Sequence, residues 1–168
     1  MENYNFLVPD FSQLAWDETA RVWNAETGDC LQTLKDVDRI NFGDFSGDGS
    51  RALTGVWNGV TVWNSETGQS LLKLGNVILF HDARLSLDGR KVVASSYDNS
   101  ARIWNAETGI CLQVPLGHID AVLTGIFSRA GDQVLTAGAD RSARIWNTIH
   151  AYTYNFSRIR PHQGGYFF

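Results

Sequence analysis

The sequence predicts an all-β chain assembled from a repeated unit of four short strands. Three observations carry that prediction. A tryptophan phrase recurs at nearly constant spacing, Gly, Asn and Asp punctuate the chain at short intervals, and no window holds apolar residues at sustained helical spacing. The composition agrees, with 16 Gly, 6 Trp, 9 Phe and 5 Tyr but 3 Pro in 168 residues. Apolar residues at 43% and charged residues at 19% are the mixture of a globular chain rather than a disordered one.

Each element of the unit has its own justification. The tryptophan phrase occupies 17–24, 58–64, 98–105 and 140–147, and Trp23, Trp63, Trp104 and Trp146 stand 40, 41 and 42 residues apart. Three copies continue in step through a turn, Glu26-Thr27-Gly28, Glu66-Thr67-Gly68 and Glu107-Thr108-Gly109. A third phrase recurs between them, led by Phe45-Ser46, Leu85-Ser86 and Phe127-Ser128 and ended by Gly49, Gly89 and Gly131. A first strand precedes that phrase at 40–45 and 122–127. A second follows its turn at 51–56, 91–95 and 133–137, a third ends in Trp, and a fourth follows at 31–34, 71–74 and 112–114. Runs of this length between Gly, Asn and Asp turns are strand grammar. Asn58-Gly59 reads as a two-residue hairpin turn, one residue shorter than its counterparts, which accounts for the step of 40.

The ends depart from the period. Residues 11–17 look like a first repeat missing its Asp-Gly turn and part of its second strand, so that unit is truncated or rebuilt from 4–8. After Asn147, residues 151–157 could supply the fourth strand of the last unit. Residues 158–168 read as an aromatic and basic arm, either docked on a neighbouring subunit or a disordered end. The expected organisation is an incomplete first repeat at 1–18, repeat units over 19–157 and an arm at 158–168.

Charge and cysteine content narrow the functional classes. A net charge of −4 without a block of like charges argues against nucleic acid as the main partner, since phosphate binding needs clustered Lys and Arg. No apolar run approaches the ~20 residues that span a bilayer. The first residues lack the basic and apolar segments of a secretory leader, so a cytoplasmic or nuclear, intracellular setting is expected, or a mature form without its leader. Cys30 and Cys111 hold the same place in two repeats and are expected to be far apart and reduced. No His or Cys pair has ligand spacing, so neither a metal nor a cofactor is expected.

With these phrases in place, the chain resembles the WD-repeat β-propeller family over residues 13 to 147. The resemblance implies four antiparallel strands per blade, about four blades with the first incomplete, and a small, open or partial ring. Every repeat here ends in Trp-Asn rather than Trp-Asp, and Gly117-His118 is the one full Gly-His; its matched positions hold Gly75-Asn76 and Lys35-Asp36. The resemblance further implies a buried tetrad of His, Ser or Thr, Asp and Trp. The fourth repeat matches fully with His118, Thr136, Asp140 and Trp146. The third has Asp98 and Trp104 but Ala94 at the hydroxyl position, and the second has Thr54, Asn58 and Trp63. His, Asp and a hydroxyl also suggest a catalytic triad, but a repeated network that satisfies buried polar groups is the reading preferred here, and no catalytic residue is expected. His81 is not the tetrad histidine of its repeat.

The family's partner-binding positions carry over by register. The residue before the turn Asp is Trp16, Trp57, Tyr97 or Ala139. The positions three and five after the tetrad histidine are Arg39 and Asn41, Leu79 and His81, and Ala121 and Leu123. Aromatics and Arg on rigidly held loops suit a protein-binding face, while Trp57 and Tyr97 could instead plug the gap between blades. The resemblance therefore implies a non-catalytic scaffold or adaptor for protein partners, as a structural subunit of a larger complex. The alternatives are an enzyme or ligand-binding propeller, or an RNA-associated protein. Most relatives close at seven blades, so a compact four-bladed ring, a dimer of half-rings or a piece of a longer protein all fit. Exposed blade edges favour association with another chain.

Overall fold

The computed structural model describes residues 5–7, 18–75, 79–148 and 153–154. Among the described residues the chain forms fifteen strands, no helix, and four antiparallel sheets in which each strand pairs with its sequence neighbours. The first sheet has three strands, β1 (Asn5–Leu7), β2 (Thr19–Asn24) and β3 (Cys30–Lys35). The second comprises β4 (Phe42–Phe45), β5 (Arg51–Val56), β6 (Gly59–Asn64) and β7 (Ser70–Leu74). β8 (Phe80–Leu85), β9 (Lys91–Ser96), β10 (Ala101–Asn105) and β11 (Cys111–Gln113) make the third. The fourth contains β12 (Val122–Phe127), β13 (Gln133–Gly138), β14 (Ala143–Asn147) and β15 (Thr153–Tyr154).

The registers follow from the repeated phrases. Trp63 lies opposite Ala52, Trp104 opposite Val92 and Trp146 opposite Val134, while β1 takes the second-strand position of its sheet with Phe6 opposite Trp23. The first sheet thus draws its strands from both sides of residue 18. β15 adds to the last sheet with Thr153 opposite Trp146, within the segment expected to supply a fourth strand. Residues 158–168 and Trp16 lie outside the described residues. In the first three sheets the pairing slips by one residue just before Trp, a bulge that leaves Leu31, Leu71 and Leu112 without a partner across the strand.

The Asn after each of the first three tryptophans explains the departure from Trp-Asp. Asn24 Oδ1 accepts the amides of Glu26 and Thr27 at 2.8 and 3.1 Å, and Asn64 and Asn105 do the same for their turns. An amide oxygen closes this Asx turn as a carboxylate would, without adding charge.

The sheets stack face to face, and each junction is sealed by the tryptophan of the later sheet. Trp63 packs with Ala20, Val22 and Leu34 of the first sheet, and Trp104 lies in one cluster with Leu53, Val62 and Leu74 of the second. Trp146 joins Val93, Ala101 and Ile103 of the third. Phe80 meets Trp104 edge to face with ring centres 5.7 Å apart, a geometry the ring quadrupoles favour. Charged residues stitch the same junctions: Arg51 donates to the carbonyl of Gly89 at 3.1 Å, and the matching Lys91 donates to that of Gly131 at 2.9 Å.

Candidate functional site

One end of the stacked sheets gathers the expected interaction residues. The tight turns after β5 and β9 and the starts of β4, β8 and β12 all open there because each sheet is a meander in the same sense. The Phe80 amide donates to the Trp57 carbonyl at 3.0 Å, and the Tyr97 amide donates to the Leu79 carbonyl at 3.1 Å, where the Ser96 hydroxyl also donates. These bonds bring Trp57, Leu79 and Tyr97 together. His81 joins them, its ring centre 5.3 Å from that of Tyr97. The group is large, apolar and open: Trp57 is 46%, Tyr97 48% and Leu79 51% exposed. Leu123 is exposed near the start of β12, while Arg39 and Asn41 are half-buried just before β4, where the Asn41 amide donates to the Gly55 carbonyl at 2.8 Å.

Beneath this end, the structure brings His118, Thr136, Asp140 and Trp146 into one network. His118 Nδ1 lies 2.9 Å from Asp140 Oδ2, its Nε2 lies 2.8 Å from Thr136 Oγ1, and Trp146 Nε1 donates to that same hydroxyl at 2.8 Å. With the Nδ1–H donating to the Asp140 carboxylate, Nε2 accepts from the Thr136 hydroxyl, whose oxygen accepts from Trp146, so every member has a partner. Burial alone would raise the Asp140 carboxyl, but donors from Ser142, the Ile119 amide and His118 outweigh it and hold the group well below the usual carboxylate range. Both partners are closed off, with side chains 1% and 2% exposed, so an incoming substrate has no route to the imidazole.

Sequence reasoning missed a second network of the same kind. Asp36 occupies the histidine position of the second repeat; Thr54 donates to its Oδ2 at 2.8 Å, and Trp63 donates to Thr54 at 2.8 Å. Lys73 stands 3.7 Å from the carboxylate and offsets its charge, which a neutral imidazole at that position would not carry. The signal was the spacing itself, since an acid at the aligned position can accept where an imidazole would. In the third repeat Ala94 leaves no hydroxyl, and Trp104 is held by Phe80 instead.

A further polar line crosses the innermost strands. Arg84 lies 3.7 Å from Asp44 on one side and 3.3 Å from Asp82 on its own strand, and Thr124 donates to Asp82 at 2.8 Å. Asp44 also accepts the Leu85 amide at 2.8 Å; burial raises its carboxyl above the ordinary value despite that bond and the Arg84 charge. Residues 44 and 84, like 82 and 124, are aligned by the repeat. Complementary side chains at one repeat position mark neighbouring blades. On the outer strands Cys30 and Cys111 are free and exposed. Among the described residues no group of three or more His, Cys, Asp or Glu is disposed to hold a metal ion, and no helix is long and apolar enough to cross a membrane.

Stacked four-stranded antiparallel meanders, sealed by a periodic tryptophan and converging on their innermost strands, define blades of a β-propeller. Residues 78–105 and 109–147 match the family model described as WD domain, G-beta repeat. The matched residues of the third and fourth blades are WD repeats, and the all-β stack of antiparallel sheets is consistent with a partial WD-repeat propeller. Repeats of this family are a protein-interaction scaffold kind of domain. No curated protein gives a significant match to the chain.

Proposed function

We propose that the chain is a non-catalytic scaffold or adaptor that holds a protein partner at the end of the blades carrying Trp57, Leu79, His81 and Tyr97. The observation that carries the proposal is the joint exposure of these residues on backbone that is itself fixed. Two large aromatics about half open to solvent, with their turns hydrogen-bonded to the innermost strand, form a pre-ordered anchor. Their exposure favours this role over plugging the gap between blades. Arg39, Asn41 and Leu123 extend the face to the neighbouring blades.

The test is affinity capture with the wild-type chain and with Trp57→Asp/Tyr97→Ala, read by quantitative mass spectrometry after nuclease treatment. One stoichiometric set of proteins, lost in the variant while thermal unfolding stays unchanged, is the expected result. Equal recovery by the variant refutes the assigned face. Recovery that disappears with nuclease favours RNA.

A further inference from the structure

The junctions after the second and third blades share one design. A leading face presents Trp, and the trailing face of the preceding blade presents a pair of aliphatic residues directly opposed across the second and third strands. In the second blade that pair is Leu53 and Val62, in the third it is Val93 and Ile103, and all four are fully buried under the next blade. The fourth blade carries the same pair, Leu135 and Ile145, in the same register. There Leu135 is 40% exposed and Ile145 is partly open, and Ile126 beside them is 49% exposed. The opposite end of the stack is the complementary half. Trp23 stands in the register of the three sealing tryptophans, which are 1% to 6% exposed, but is itself only half-buried.

We propose that two copies of this chain join head to tail. The trailing face of the fourth blade, with Leu135 and Ile145, seats the leading face of the partner subunit's first blade, with its tryptophan in the sealing position. The same contact repeats at the other junction. The argument for a second copy as the occupant is continuity: the chain already makes this contact at two of its own junctions, and it carries both unfilled halves. An interface of this heterologous type closes when its rotation permits, and two four-bladed copies give eight blades, within the roughly four to eight that closed propellers contain. Gln133 extends the match, since it holds the position from which Arg51 and Lys91 reach the next blade, and it is exposed.

The test uses the full chain in sedimentation equilibrium over a range of concentrations. The wild type is expected at the mass of two chains. Leu135→Glu on one face and Trp23→Ala on the other should each raise the dissociation constant by about thirtyfold or more, as for residues central to an interface. Mixing the two variants should restore association, because one junction of the mixed pair is then wild type on both sides. Where Trp23→Ala loses its circular dichroism, Trp23→Phe replaces it. A monomeric wild type overturns the proposal. So does a dimer that Leu135→Glu dissociates and the tryptophan variant leaves at full strength, since that pattern belongs to two trailing faces packed on each other.

Discussion

Removing one oxygen from Thr136 should expose how much the buried tetrad contributes. Thr136→Val keeps the shape of a fully buried side chain and deletes the hydroxyl that joins Trp146 Nε1 to His118 Nε2, both at 2.8 Å. The change strands a buried donor and a buried acceptor together. Each unsatisfied group costs roughly 1–3 kcal/mol, and because the two share one partner the losses overlap, giving about 3 kcal/mol for the pair. For a chain of this size each kcal/mol is worth roughly 2–4 °C, so the midpoint should fall by about 6–12 °C.

Differential scanning calorimetry measures the midpoint, and near-ultraviolet circular dichroism reports whether Trp146 keeps its environment. Thr54→Val is the internal comparison. There the lost hydroxyl serves Trp63 and the Asp36 carboxylate, which retains the Val37 amide and Lys73, so a comparable or larger fall is expected. A midpoint within about 2 °C of wild type for both variants would refute the reasoning, because it would mean that the networks are satisfied by water rather than by one another.

Three further outcomes follow from the geometry. Partial burial would raise Asp98, but Arg102, Ser100 and Ser96 bring it to about 2, so its contribution is present above the unfolded value near 4 and is lost as pH falls from about 4 to 2; Asp98→Asn should flatten acid unfolding in that window, followed by fluorescence. Asp140 is lowered in the same sense, and its loss continues to still lower pH. Gly55→Ala should destabilise the second blade by about 1–3 kcal/mol in urea titration, since a Cβ there would stand 1.8 Å from the Phe42 ring opposite. Arg84→Met should cost about 1 kcal/mol at neutral pH, discounted for a side chain 41% exposed, and the cost should shrink as acid protonates Asp44, whose burial moves that change to higher pH than for a free carboxylate.

What could be read from the chain alone was whatever repeats in type. The sealing tryptophans and the Gly turns demand particular residues at particular steps, so their spacing located the blades, and the resemblance to the WD-repeat family is what pointed to His118, Thr136, Asp140 and Trp146 as a tetrad. Substitution by a different chemistry hid the Asp36 network: an acid in place of an imidazole reads as a broken motif, although its oxygen accepts equally well from Thr54. The line through Asp44, Arg84, Asp82 and Thr124 was hidden for another reason, because its contacts run between blades and depend on how the innermost strands stagger. The trailing faces mark the limit of pattern reading. Val93 with Ile103 and Leu135 with Ile145 have the same place in the repeat and nearly the same composition, yet the first pair is sealed and the second is open. Periodicity states which face of a strand is apolar; burial depends on whether another surface arrives to cover it. A repeat protein therefore writes the same instruction on every blade, and where the pair stays open, as at Leu135 and Ile145, the instruction is legible while its fulfilment is not.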